Sequence, residues 1–536
     1  MRLLRRIGSG VSKADTIMPM MRTTALLGAC ICLTAIVAAQ AVDDPVVSVT
    51  GGRIRGRIAS DGGSAFKGIP FARPPVGELR WREPQPVEPW ADIRDASAFR
   101  PACTQLSETW NDVDVPTSTE DCLYLNVATP EWPPKAPRPV MVWIHGGSNL
   151  SGSGEAPAFE QRSLVRRGIV WVTVNYRLGA LGFLAHPELV AESPHHASGN
   201  YGLMDQIAAL HWVHDNIANF GGDPGNVTVG GESAGAWDTS LLMASPLANG
   251  LFHRAVQESG AVAGFNGCLP PQHAEDLGRK LAVQLNAPET RTIAFLRTIP
   301  AVDILKVAKK VAGFDRTGLG VSVDGWVLPE NPAIVFAEGR AAHIPLITGT
   351  NAQEIGHSEA AVELRKQIRE AYGELANRAL ALYGLAETRK AEPDRLHGPP
   401  GTQWATDRVF RCPSEAEAVW NASAGNPTYL YEFEQPAPGK PASVHAGELV
   451  FLFGTWATDA PPTVADQKIS DQMQNYWANF TRTGSPNGEG LPAWLEFTAR
   501  SQDYMAFTSS GGVSKVNLRR PFCELFMKVE AVQAAK

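Results

Sequence analysis

The stretch 226-NVTVGGESAGAWDTSLLM-243 decides the fold. It is apolar and β-branched up to Val229, and Leu241 and Leu242 near its end belong to a helical run. Between the two halves stand Gly231-Glu232-Ser233-Ala234-Gly235. A strand that turns into a helix this sharply, with small residues two positions either side of a serine, strains the serine backbone and lifts its hydroxyl above a sheet. The same turn points the following N–H groups at the space the hydroxyl faces. A glycine-rich turn with an incidental serine is the plain alternative, and the strand-turn-helix context argues against it.

The pattern around this turn is consistent with it. The runs 140-VMVWIH-145, 169-IVWVTVNY-176 and 343-HIPLITGT-350 are short, apolar and β-branched, as buried parallel strands require. Between them, 203-LMDQIAALHWVHDNIANF-220 places its apolar residues at helical spacing. Alternating strands and helices predict an α/β protein with a mostly parallel central sheet and helices on both faces. A helix-rich insertion is expected over roughly 270–420, after which 427-PTYLYEF-433 returns as a strand. Near the start, 46-VVSVTGGRIRGRI-58 predicts a hairpin, and the proline-rich segment 66–90 is expected to pack irregularly on the surface.

Composition excludes several function classes. The chain has 536 residues, 44% of them hydrophobic, and a net charge of −7, so it lacks the basic surface of a nucleic-acid binder. Residues 21-MRTTALLGACICLTAIVAAQA-41 have a basic start, an apolar run too short to span a bilayer, and an A-x-A pattern at Ala39-Gln40-Ala41. They predict a signal peptide over 1–41, a single domain over 42–536, and a secreted or periplasmic location, with Met20 or Met21 as alternative starts. Leu27-Gly28-Ala29-Cys30 also fits a lipoprotein box, but lipidation at Cys30 leaves nine further apolar residues on the mature side, which argues against it. Removing this segment leaves Cys103, Cys122, Cys268, Cys412 and Cys523, enough for two disulfides and one free thiol.

A serine hydroxyl needs a base, and the base needs a carboxylate to hold its tautomer. In this turn type the chain order is serine, acid, histidine. Glu354 follows the strand-like run 343–350, and of the later histidines His357, His397 and His445, only His445 both follows the late strand and precedes an apolar anchor. Acyl transfer also needs N–H donors aimed at the developing oxyanion. Ala234 supplies one, and the glycine turn 145-HGGSN-149 after the strand at 140–145 offers Gly147 and Ser148 as the others. No metal-ligand cluster is visible, and this chemistry needs no metal or cofactor.

Taken together, 66-FKGIPFARPPVGELRW-81, 120-EDCLYLNV-127, 172-VTVNYRLGALGF-183, 199–236 and 479-NFTRTGSPN-487 resemble signatures of the type-B carboxylesterase family, which includes cholinesterases and para-nitrobenzyl esterases. The resemblance runs from about Val46 to Cys523. It implies the α/β-hydrolase fold, a Ser233-Glu354-His445 triad, disulfides Cys103–Cys122 and Cys412–Cys523, and a small-molecule ester as substrate. Trp110 sits where cholinesterases carry a gorge tryptophan, and it joins Asn149 and Glu232 as candidate pocket residues. The family typically shows HGGGF, so the polar Ser148-Asn149 pair suggests an acyl group bearing hydroxyls or carboxylates, as in the tricarballylate esters cleaved by secreted bacterial fumonisin esterases. A short-chain esterase or a lipase is the alternative within the enzyme class. A family member that has lost its triad and serves in adhesion is the alternative outside it. Activity is expected to fall below about pH 6.5, the ordinary histidine value.

Overall fold

In a computed structural model of the protein, which describes residues 44–534 apart from 109–110, 113, 156, 265–267, 312–320, 358–359 and 387–392, the apolar runs pair side by side into one large sheet. The expected signal segment 1–41, with Cys30 and Cys32, lies outside the described residues, as does Trp110. The strands are β1 Val46–Val49, β2 Gly52–Arg55, β3 Arg57–Ile58, β4 Ser64–Pro70, β5 Arg94–Asp95, β6 Tyr124–Thr129 and β7 Arg138–Ile144. They continue with β8 Val170–Val174, β9 Gly222–Glu232, β10 Arg254–Glu258, β11 Leu346–Asn351, β12 Thr428–Phe433, β13 Asp503–Thr508 and β14 Gly511–Val516. β1, β2 and β5 form a small sheet of their own; the other eleven lie in the order β14-β13-β12-β11-β10-β9-β7-β8-β6-β4-β3. From β8 across to β13 every neighbouring pair is parallel, and only the edges are antiparallel.

Strand period sorts the core into two layers. Val140, Val142 and Ile144 pack on one face with Val172, Val229 and the helices Tyr201–Asn216 and Ala234–Ala244, through Leu210, Val213 and Leu241. Met141 and Trp143 face the other way with Trp171, Tyr431 and Phe433, where helix Val464–Thr483 brings Met473, Tyr476 and Trp477. The protein therefore has the α/β-hydrolase fold, with its helical additions on either side of β11.

One sequence expectation is revised, and one strand lies outside the pattern. The segment 66–90 is not wholly irregular, because Ser64–Pro70 pairs antiparallel with β6. A bulge between Phe66 and Ile69 admits Gly68, at φ 65°, and lets the strand end in proline. β10 escapes pattern reading because only Ala255 and Val256 are apolar, yet Gln257 and Glu258 are fully buried beside them. Cys103 is bonded to Cys122 and Cys412 to Cys523, and Cys268 is unpaired. Among the described residues no helix is long and apolar enough to cross a membrane, and no group of three or more His, Cys, Asp or Glu is placed to hold a metal ion.

Candidate active site

Ser233 stands between β9 and the helix Ala234–Ala244, which it caps, with φ 57° and ψ −121°, a conformation that costs a non-glycine residue on the order of 1–3 kcal/mol. The flanking glycines allow it by what they lack. A Cβ on Gly235 would stand 2.0 Å from the Ile144 carbonyl oxygen, and one on Gly231 would stand 2.5 Å from that same oxygen. Any side chain at either position would drive the turn off the end of β7. The strain is retained because Ser233 N–H donates to the Glu258 carbonyl (2.8 Å) and its own carbonyl accepts from Trp237 N–H (3.0 Å).

The loops after neighbouring strands converge on this hydroxyl. His445 Nε2 lies 2.9 Å from Ser233 Oγ, and its Nδ1 lies 2.7 Å from Glu354 Oε2. Glu354, on the loop after β11, is buried, and its Oε1 accepts from the Ser259 hydroxyl (2.6 Å) and Asn351 N–H (2.7 Å). Those bonds turn the second oxygen towards the imidazole, fixing the tautomer with hydrogen on Nδ1 and a lone pair on Nε2. The ring of Phe410, on the π-helical turn Asp407–Arg411, packs 4.8 Å from the His445 ring.

Glu232, expected as a pocket residue, lies with its Oε1 3.2 Å from the same His445 nitrogen that faces Ser233, and makes no hydrogen bond with it. Its influence is electrostatic. Burial pushes its carboxyl up to about 7, with the cationic form of His445 pulling it down. Two further carboxyls were missed in the sequence: Glu258, accepting from Trp477 Nε1–H at 2.7 Å, and Glu448, accepting from the Asn351 amide. Burial first, and then the charge of Glu448, raise Glu258 well above the usual range; burial first, and then the charges of Glu232 and Glu354, raise Glu448 to about 8. For Glu448 the available signal was its place at the head of the apolar helical run 448-ELVFLF-453; Glu258, in 254-RAVQE-258, had none. Burial alone would lower His445, but Glu232, Glu354 and Glu448 outweigh it and hold the imidazole above its ordinary value.

That shift has a kinetic consequence. Only the neutral imidazole accepts a proton, so activity is lost as pH falls through the raised His445 value, and the acid limb of kcat/KM is expected above, not at, pH 6.5. Glu232→Gln removes one stabilising negative charge, lowers that value, and should move the limb to lower pH. An unchanged or raised midpoint in the variant would contradict this account.

The glycine turn after β7 comes close to the nucleophile. A Cβ on Gly146 would meet the Glu232 carbonyl at 2.6 Å and Ser233 Cβ at 3.1 Å. Gly147, Ser148 and Asn149 follow at φ 107°, 57° and 55°, a left-handed run that only the first residue adopts freely. Among the described residues no hydrogen bond engages the N–H groups of Gly147, Ser148 or Ala234. The far end of the loop is held from the Cys103–Cys122 segment, where the Gln105 side chain accepts from Gly152 N–H (2.8 Å) and donates to its carbonyl (2.9 Å). Ser148 is exposed. Asn149 is not, and its expected place in the pocket is revised. Its side chain is 1% exposed and turned into the core, with Nδ2 donating to Asp238 Oδ1 at 2.9 Å and Oδ1 accepting from the Tyr176 hydroxyl at 2.8 Å. Burial pushes Asp238 up to about 7, against hydrogen bonds from Asn149 and Gln206 that hold it down. His145 is fully buried against the Tyr176 ring (4.5 Å), and burial lowers it to about 4, so it stays neutral and structural.

Comparison with known proteins shows the family and the fold. The Carboxylesterase family profile matches residues 43–526. Liver carboxylesterase 1F of Rattus norvegicus is 34% identical over 527 residues, covering 88% of this chain and 91% of that protein. The liver carboxylesterase of Sus scrofa is 35% identical over 514 residues, covering 85% and 88%. Among solved structures, a PNB esterase superposes with a TM-score of 0.79 at 32% identity, covering 90% of this chain and 99% of that one. A thermophilic PNB esterase gives the same TM-score and identity, covering 90% and 100%.

Proposed function

We propose, from the premise that this chain belongs to the carboxylesterase family and is a carboxylic ester hydrolase, that it works through an acyl-enzyme on Ser233 with His445 as base and Glu354 as its orienting acid. The observation that carries this reading is the unbroken hydrogen-bonded line from Glu354 through His445 to Ser233 Oγ. In the first step Ser233 Oγ bonds to the ester carbonyl carbon while its proton passes to His445 Nε2. The carbonyl oxygen takes the negative charge and is met by the N–H groups of Gly147, Ser148 and Ala234. The carbon–oxygen bond to the alcohol then breaks, and the alcohol leaves with the proton from His445. Water repeats the sequence on the acyl-enzyme, releasing the acid and restoring Ser233.

For the substrate, simple short-chain esters are the better-supported class. The polar group expected to recognise a hydroxylated or carboxylated acyl chain, the Asn149 amide, is spent on Asp238 and Tyr176, and an aromatic ring, Phe410, flanks His445. The narrower reading, a secreted bacterial enzyme of fumonisin-esterase type, rests on Ser148 alone. A panel of p-nitrophenyl butyrate against tricarballylate esters separates the two. Higher kcat/KM on the butyrate is expected, and preference for the tricarballylate would reverse the assignment. Intact labelling of Ser233 by a serine-directed phosphonate also separates both from a non-catalytic binding protein. Export through cleavage after Ala41 is proposed from the N-terminal pattern, and two disulfides suit an oxidising compartment. Sequencing of the mature N-terminus should begin at Val42, and a product that retains the leader would refute it.

A further inference from the structure

We propose that Asn149 and Asp238 form a buried latch that holds the left-handed 147–149 turn against the nucleophile helix and so positions the oxyanion donors relative to one another. The inference rests on the oxyanion role given to this loop above. Asp238 lies one helical turn beyond Ala234, on the helix whose first N–H is the third donor. Asn149 directly follows the donors Gly147 and Ser148. The 2.9 Å bond between Asn149 Nδ2 and Asp238 Oδ1 therefore ties two donors to the element that carries the third donor and extends from Ser233.

The latch is anchored on every side. Asp238 Oδ2 accepts from the Gln206 amide on helix Tyr201–Asn216. Asn149 Oδ1 accepts from the Tyr176 hydroxyl, which also lies 3.0 Å from the His145 carbonyl oxygen, and the Asn149 carbonyl accepts from Gly179 N–H at 2.7 Å. Asn149, Asp238, Gln206 and Tyr176 are each no more than 1% exposed, so none of these bonds is exchanged readily with water. Asparagine tolerates φ 55° better than most side chains, and its amide has a donor for the carboxylate and an acceptor for the phenol. Both properties are needed at this position. Ser148, at φ 57°, has no buried side-chain anchor of its own and depends on its neighbour to stay in place.

The latch acts through the donors, so Asn149 is a positioning residue and its loss should appear in the transition state. With p-nitrophenyl butyrate, Asn149→Asp places two carboxyls in contact and is expected to lower kcat by about 10²-fold, with KM within about threefold. The paired Asn149→Asp/Asp238→Asn restores every bond with the roles exchanged. The carboxylate at 149 accepts from Tyr176 and from the amide at 238, whose oxygen accepts from Gln206. It is expected to return kcat to within about fivefold of the native chain. A trifluoromethyl ketone accepts Ser233 Oγ at its carbonyl carbon as the Ser233 hydroxyl proton passes to His445, leaving an oxyanion in the hole. Its affinity should fall and recover in step with kcat/KM. Unchanged kcat in folded Asn149→Asp, or a pair that recovers its melting temperature but not kcat, overturns the latch. Where Asn149→Asp does not fold, Asn149→Ser removes the amide without adding charge, with the same loss expected and the same contrary result. Ser233→Ala, run alongside, separates the premises: if that variant still hydrolyses ester, the esterase site itself is misassigned, whatever the latch variants do.

Discussion

Ser233→Ala should lower kcat on p-nitrophenyl butyrate by about 10⁵- to 10⁶-fold, while thermal unfolding stays close to that of the native chain. The loss is large because the hydroxyl is the only group in the line that forms a bond to substrate; without it, His445 has no proton to take. The remaining rate comes from donors and binding alone. The fold should survive because Oγ makes its hydrogen bond to a half-exposed histidine, not to the core, and the turn is held by backbone bonds from Ser233 to Glu258 and Trp237. Alanine also keeps the φ and ψ demands of the turn unchanged. Activity within tenfold of native, measured on protein purified clear of other esterases, would sink the assignment of the nucleophile.

Glu354→Gln should lower kcat by about 10⁴-fold, with KM little moved. The carboxylate accepts three hydrogen bonds, from Ser259, Asn351 N–H and His445. An amide has one oxygen for them. If that oxygen keeps the Ser259 and Asn351 bonds, the –NH₂ group faces His445 Nδ1 and selects the tautomer with hydrogen on Nε2, which cannot accept from Ser233. If it turns instead to His445, a donor is driven against Asn351 N–H in a buried site, at a cost of about 1–3 kcal/mol. Either way the base is disabled or the site destabilised. Glu354→Asp keeps the charge but shortens the reach and should lose less than the amide. A glutamine variant with near-native kcat would show that His445 is held by something other than Glu354.

These two residues were legible in the sequence to different degrees. The Ser233 turn could be read locally, since its requirements for a strand, two missing Cβ atoms and a helix all fall within eighteen residues. Glu354 could not be singled out by pattern alone. A loop glutamate looks like any solvated charge until Ser259 and His445, 95 and 91 residues away in sequence, close on it. Chain order and the strand before it made Glu354 a candidate; the resemblance to carboxylesterase signatures singled it out. Phe410 and Glu258 were not foreseen, because a side chain's distant neighbours have no local signature, and Glu448 had only its place at the head of an apolar run.

Asn149 marks the boundary most clearly. By sequence it stands where the family carries an apolar aromatic, and a polar residue beside an oxyanion loop reads naturally as a substrate contact. What turned it inward is Asp238, 89 positions later, whose buried carboxylate needs donors and finds them in that amide and in Gln206. The sequence by itself determined the sheet order's parallel core, the strained serine turn and the glycine loop facing it, because backbone sterics and strand or helix period act over a few residues. Only the tertiary structure decided where Asn149 points, how the charges of Glu232, Glu354 and Glu448 act together on His445, and that Ser148 is the exposed residue of the loop, because those outcomes depend on hydrogen-bond partners and charges brought together from distant parts of the chain.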